Sequence, residues 1–424
     1  MKRIFIWGLM LVFGNTAFAQ ITLESCQEKA RSHFPSIRKY NLIEKSKSYN
    51  LANAAKAWLP QVQLNARATY QSAVTKIPIT LPGVDIPELK KEQYQATLEV
   101  SQVIWDGGAI RSQRKITQAG AEVEQQQLEV ELYALEDRVN QLFFGILLLD
   151  EQAKQNQLLI DELQRNYDNV NSYLLSGIAN QADLDAVKVE QLNAQQMRTQ
   201  IESSREVFVE MLGIMTGEQL DAGSVFQKPE TDSALMTDPT RHPPINRPEL
   251  KLFGAQNQMF DSQKSLIQSA YLPKLGLFVQ GGYGRPGLNM LSNEFDWFYI
   301  GGLRLSWNFG ALYTQKNDLR KIDINKQIVD TQKDVFLYNL NLSLSRENQE
   351  IKRLRAVMQN DDEIIALREN IRRATEAKLA NGAATATDLM RELTNENLAR
   401  QTKAAHEIDL LLAVYKLKNI TNHE

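Results

Sequence analysis

Between residues 106 and 176 apolar positions recur in alternating steps of four and three, at Leu128, Leu132, Leu135, Val139, Leu142, Ile146, Leu149 and Ala153, then at Ile160, Leu163, Tyr167, Val170 and Leu174. This is the heptad seam of one unbroken helix wound against partners with a left-handed supercoil. At about 1.5 Å of rise per residue such a helix would be roughly 100 Å long, far beyond the needs of a compact domain. A seam of this kind also describes a fibrous coiled coil. What precedes it does not, because residues 93–105 have a strand's pattern and end in Asp106-Gly107-Gly108, a breaker suited to leaving a sheet for a helix.

Strand patterns occur in two pairs. Val62, Leu64, Ala66, Ala68 and Tyr70 alternate with polar neighbours, and Tyr94, Ala96, Leu98 and Val100 share one side of the return strand. The loop between them holds Pro78, Pro82-Gly83 and Pro87. Further along, Leu275, Leu277, Val279 and Tyr283 share a face, as do Tyr299, Leu303, Leu305 and Trp307. The charged residues Arg67, Glu99, Lys274 and Arg304 fall on the other side, which predicts one charge-free face with Tyr70, Tyr94, Tyr283, Tyr299 and Trp307 towards its ends. Either a soluble sandwich core or a lipid-facing wall fits that alternation. Four strands cannot close a barrel, and open edges cannot sit in lipid, so the second reading needs walls from neighbouring chains; three copies would supply about twelve strands.

The chain repeats itself. Ala57-Trp58-Leu59-Pro60-Gln61-Val62 returns as Ala270-Tyr271-Leu272-Pro273-Lys274-Leu275, and Leu98-Glu99-Val100-Ser101 as Leu303-Arg304-Leu305-Ser306. Leu174 to Leu184, with Gly177 and Asp183, returns as Leu379 to Leu389, with Gly382 and Asp388 in register. Three echoes in one order indicate two copies of a single unit: helix, strand, strand, very long helix, turn, helix.

The first copy spans 20–215, with a helical pattern over 21–56, strands near 60–71 and 93–105, the long helix 106–176, a tip at 175–182 and a return helix 183–212. The second spans 246–424, with a helix over 246–269, strands near 273–284 and 298–309, a long helix 310–380, a tip at 381–387 and a return helix 388–417. Residues 216–245, rich in Pro, Asp and Thr, join them.

The amino terminus sets the compartment. Met1-Lys2-Arg3 is basic, residues 4–13 are apolar, and Ala17-Phe18-Ala19 precedes Gln20 as a small-x-small cleavage site, so 1–19 read as a secretory signal peptide too short to span a bilayer. A net charge of -3 argues against nucleic acid as a partner. The lone Cys26 has no internal disulfide partner. His33, His242, His406 and His423 lie without metal-ligand spacing, and no phosphate-binding loop occurs, so no cofactor, metal or catalytic site is expected.

The order of elements, the Leu-Pro before each first strand, the Trp105-Asp106-Gly107-Gly108 exit and the Gly-x5-Asp-Leu turn in both copies resemble the TolC-type outer membrane efflux proteins, over about residues 21 to 420. Two departures stand out. The second copy leaves through Trp307-Asn308-Phe309-Gly310, and its track of Leu337, Leu340, Leu344, Ile351, Leu354, Met358 and Ile365 is interrupted by Glu347 and Asp361.

The resemblance implies a mainly α fold with a pair of transmembrane β-hairpins, assembled as a homotrimer with a twelve-stranded barrel in outer-membrane lipid and a helical tunnel through the periplasm. It implies a passive export conduit, serving a periplasmic adaptor and an inner-membrane transporter of the RND, ABC or MFS type. Val62, Leu64, Tyr70, Tyr94, Leu98, Val100, Leu275, Leu277, Val279, Leu303, Leu305 and Trp307 would face lipid. Leu175, Ser176, Gly177, Ile178 and Ala179, with Asn381, Gly382, Ala383, Ala384 and Thr385, would be the tips that meet the adaptor, although each glycine also suits a plain helix-ending turn. Asp183 would cap a return helix. Asp388 would line a periplasmic constriction, with Arg391 one turn on making a salt bridge in place of a second acid. The joining segment would belong to a belt around the middle. A periplasmic structural coiled coil or adaptor is the alternative, and a hydrolase a distant third.

Overall fold

A computed structural model describes residues 20–75, 89–177, 179–230 and 244–422. The signal peptide, the Pro78, Pro82-Gly83 and Pro87 of the first hairpin loop, Ile178, much of the joining segment with His242, and His423 lie outside the described residues. The elements are α1 (Leu23–His33), α2 (Lys39–Lys56), β1 (Gln61–Tyr70), β2 (Glu92–Trp105), α3 (Ala109–Leu175), α4 (Gln181–Thr216), α5 (Pro248–Ala270), β3 (Lys274–Arg285), β4 (Asp296–Ser306), α6 (Leu312–Met358), α7 (Asp361–Ala380) and α8 (Ala386–Thr421). They fall into two compact units. One comprises residues up to 37, 130–247 and 337–424; the other comprises 38–129 and 248–336.

In the second unit the two hairpins join. The four strands form one antiparallel sheet in the order β1-β2-β3-β4, with β2 of the first copy paired to β3 of the second. The exit from β2 works as its sequence suggests. Buried Asp106 accepts from Gly108 N at 2.8 Å and from Ile110 N at 2.7 Å, capping α3, while Gly107 turns at φ 69° where a Cβ would stand 2.9 Å from the Ser269 carbonyl.

In the first unit the heptad seam is the core. Val139, Leu142 and Ile146 of α3 are buried with Phe143 and Phe144 against Leu23, Cys26 and Ala30 of α1, Val209 and Leu212 of α4, and Ile408 and Leu411 of α8. Phe226, from the described part of the joining segment, fills the same core, and Ile21 pairs with it as a short parallel bridge.

Two long-helix expectations need correction. The helix expected over 21–56 is interrupted at Phe34, followed by a 3-10 turn at Pro35–Arg38, because proline cannot supply the amide that continues a helix. The helix expected over 310–380 is two helices, α6 and α7, parted at Gln359 and Asn360. No proline or glycine stands there.

Candidate functional site

The register puts the predicted apolar residues on one face of the sheet. Val62 stands opposite Val100 and Leu64 opposite Leu98; Val100 is then opposite Val279, Leu277 opposite Leu303 and Leu275 opposite Leu305. Directly opposed residues of an antiparallel pair point to the same side. Among the described residues this face is largely uncovered: Leu64 is 72% exposed, Leu303 67% and Tyr299 82%. A sandwich core would have buried them, so that reading is set aside.

Aromatic rings mark both ends of the face. Tyr70, Tyr94, Tyr283, Trp297 and Tyr299 gather at one end, and Trp105, opposite Leu275 beyond a bulge, and Trp307 lie at the other. From Trp297 to Trp307 the chain covers about 33 Å at about 3.3 Å per residue, or about 25 Å along the normal for a strand tilted by about 40°. That matches the apolar band of a barrel. Trp307 lies just outside β4, its ring nitrogen donating to the Tyr271 carbonyl at 3.1 Å.

The expectation of a charge-free face holds along its length but not at one end. Glu92 stands opposite Tyr70 and Arg285 opposite Tyr94, so both fall on the apolar side. Arg285 lies over the Tyr94 and Phe295 rings and donates to the Glu92 carbonyl at 3.1 Å, which keeps the charge among aromatics at the rim. The opposite face carries the strands' remaining charges, with Arg304 paired to Glu99 at 3.0 Å and lying over the Phe278 ring.

In the other unit the two tips share one core. Leu163 and Val170 of α3, Leu184 and Val187 of α4, Leu379 of α7 and Ala386, Leu389 and Leu393 of α8 are buried together, with Ala179 and Ala384 packed against them. Each long helix ends on a left-handed glycine, Gly177 at φ 78° and Gly382 at φ 70°. Gly382 N donates to the Leu379 carbonyl at 3.0 Å and Ala383 N to that of Lys378 at 2.8 Å, closing the paired bonds of a glycine-terminated helix. Leu175 is 83% exposed, an apolar side chain left in solvent at the end of the first tip. Ser176, Asn381, Gly382, Ala383 and Thr385 are exposed too.

Asp183 and Asp388 each hold the third position of a capping box. Asp183 exchanges bonds with Asn180, each 3.1 Å, and Asp388 does the same with Thr385, whose hydroxyl also donates to it at 2.8 Å. These Thr385 bonds first, and the Arg391 charge after them, hold the Asp388 carboxyl below its ordinary range. Arg391 lies 3.4 Å from Asp388 within the same chain and also reaches Glu392 at 3.2 Å. The partners Asn180 and Thr385 were readable from the Asn-x-x-Asp and Thr-x-x-Asp spacing.

A cross-helix ion cluster was not readable from sequence. Arg372 of α7 meets Glu396 of α8 at 2.7 Å and Glu162 of α3 at 3.1 Å, and Arg400 shares Glu396 at 2.7 Å. Burial pushes both carboxyls up. For Glu396 the bonds from Arg400 and Arg372 outweigh burial and lower it, whereas Glu162 stays raised.

Among the described residues no group of His, Cys, Asp and Glu could hold a metal ion, and no helix is long and apolar enough to cross a membrane. Cys26 is buried, and burial pushes its thiol up to about 11, out of reach as a nucleophile at neutral pH.

Residues 27–217 match the family model described as outer membrane efflux protein. Several solved structures share the fold. CusC, whose structures concern folding and transmembrane channel formation, superposes with a TM-score of 0.70 at 13% identity, covering 95% of this chain and 92% of its own. The outer membrane protein VceC of Vibrio cholerae gives 0.68 at 14% identity, with 94% and 95% covered. The open state of the Neisseria gonorrhoeae MtrE outer membrane channel gives 0.65 at 14%, with 94% and 88% covered. No curated protein matches the chain. At these identities the solved structures establish the fold.

Proposed function

We propose that this chain is a TolC-type outer membrane efflux protein, placed in the outer membrane with a periplasmic helical extension, and that three copies assemble into a passive export conduit. The observation that carries the reading is the exposed apolar face on an open sheet. Among the described residues strands β1 and β4 each pair with one neighbour, and an unpaired edge in hydrocarbon costs several kcal/mol per backbone group. Two further copies would cover those edges and close about twelve strands around a lumen. Val62, Leu64, Leu98, Val100, Leu275, Leu277, Val279, Leu303 and Leu305 then face lipid between the aromatic ends, and Arg67, Glu99 and Arg304 face the lumen.

The tips are the docking end. Leu175, Ser176, Ala179 and residues 381–385 present small side chains and one exposed leucine on a common core, a surface suited to the helical ends of a periplasmic adaptor. Asp388 and Arg391 stand beside it as a constriction whose charge is balanced within each chain. The chain carries no nucleotide-binding loop, so the energy for transport comes from an inner-membrane transporter coupled through the adaptor. Cysteine placed at Leu175 or Ala383 and crosslinked in intact cells tests the docking end. Capture of a periplasmic helical-hairpin protein supports it, and trimers that crosslink to no such protein at either site contradict it.

A further inference from the structure

At the foot of the sheet, where β2 turns into α3, the unit that holds both hairpins has a cavity of about 410 Å3. Its origin is local. β2 carries a bulge between Val103 and Trp105, and the residue opposite Val103 is Gly276, which places no side chain in the space. A Cβ at Gly276 would come 3.2 Å from the Gln102 carbonyl. Ala57, just past the end of α2, and Ala109, the first residue of α3, keep the walls short. Val103, Ile110 and Phe278 make the lining apolar.

The charged residues that line the cavity are Asp106, Lys274 and Arg304, and two of them are already matched. Asp106 uses both oxygens on the start of α3, accepting from Gly108 N at 2.8 Å and Ile110 N at 2.7 Å. Arg304 gives Nη1 to Glu99 at 3.0 Å, and its guanidinium carbon sits 4.4 Å from the centre of the Phe278 ring. Lys274 is exposed and makes no ion pair among the described residues; its neighbour across the strands is the neutral Ser306. An apolar cavity bordered by one unmatched cation has a defined complement, an apolar body with a single negative charge.

We propose that this cavity binds a small organic monoanion, with a flat apolar body against Val103, Ile110 and Phe278 and a carboxylate or sulfonate against Lys274 and the guanidinium nitrogens that Arg304 does not give to Glu99. The volume suits such a ligand, since pockets for small molecules span about 300 to 1,000 Å3. A cation of the same shape would meet Lys274 and Arg304 with no free carboxylate to offset them, and is rejected. One chain builds the whole site. β2 and β3 are the inner strands of the sheet, so copies that cover β1 and β4 leave it open. Lys274, Phe278 and Arg304 stand on the face opposite the exposed leucines. In the proposed conduit that face lines the lumen, and the ligand is then a class of cargo; this last step alone rests on the proposed function.

Isothermal titration of the full chain in phosphatidylcholine nanodiscs, with empty nanodiscs subtracted, tests the site with three probes. They are naphthalene-2-sulfonate, the cationic 2-naphthylmethylammonium, and methanesulfonate, which has the charged head without the rings. Naphthalene-2-sulfonate binds once per chain, and each of the other two binds at least about tenfold more weakly. Lys274→Gln, at an exposed position on an inner strand, weakens naphthalene-2-sulfonate by about tenfold and narrows its advantage over the ammonium probe. Ala57→Phe fills the cavity from an exposed position and weakens the same probe with no change in charge. Absence of saturable binding, equal affinity for the sulfonate and ammonium probes, or undiminished sulfonate binding in Lys274→Gln overturns the proposal. The number of chains per nanodisc is read separately from particle mass, so a failure of the trimeric reading leaves the binding result standing.

Discussion

The two copies of the repeat carry the same elements in the same order, and they differ where one helix runs through and the other stops. In the first copy α3 continues for 67 residues with a buried seam. In the second, α6 and α7 share the same kind of seam, with Leu340, Leu344, Ile351 and Leu354 buried, yet part at Gln359 and Asn360. The apolar pattern therefore fixes which side of a helix is covered and does not fix where the helix breaks.

The comparison can be broken most severely at the sheet, where both copies should respond alike. Leu64→Arg in the first copy and Leu277→Arg at the matching place in the second each set a charge towards lipid, at about 2 to 4 kcal/mol per chain near mid-membrane. Both variants should lose most of their assembled trimer on gels run without heating. Gln63→Arg, on the polar face, should assemble normally, and a normal yield from either leucine variant would reverse the facing assigned to the sheet.

In the long helices the copies should diverge. Gln157→Pro falls inside α3 and removes an intrahelical bond, costing about 3 kcal/mol or more. Asp362→Pro, its counterpart, falls in the first turn of α7, where the amide has no intrahelical partner, and should cost about 1 kcal/mol. Chemical unfolding of the two variants compares them, and equal losses would mean that the interruption does not exist in solution.

At the tips the effects shrink and converge again. Asn180→Ala and Thr385→Ala each remove the side-chain acceptor of a capping box and should cost about 1 kcal/mol in thermal unfolding. Acid separates them. Because Asp388 is held below its ordinary range by Thr385 first and Arg391 next, its contribution is present above that range and is lost as pH falls through the lowered value. Thr385→Ala should therefore flatten the acid limb of the stability profile, and an unchanged limb would show that the box adds nothing at that tip.

Much of this was legible because burial leaves a period. Steps of three and four placed Leu132, Val139 and Ile146 inside, and strict alternation placed Leu64, Leu98 and Leu303 on the apolar faces of their strands, while their cross-strand partners came only with the register. Gly177 and Gly382 announced their own left-handed turns. Pro35 was also in plain view, and the apolar periodicity on either side of it masked a real interruption. The rest depends on partners far along the chain. Nothing near residue 360 signals that His406 will meet Asp361, nothing near Arg372 points to Glu162, and Glu92 and Arg285 join the apolar face only once the strand ends are known. Charges that choose partners across helices carry no fixed spacing, so pattern alone cannot assign them.

The central claim is that the open sheet is completed by two other copies in lipid. Native mass spectrometry of the chain extracted from outer membranes in mild detergent measures this directly. The account predicts a homotrimer that loses its assembly when Leu64→Arg is introduced. A water-soluble monomer whose sheet is fully protected without detergent would contradict it.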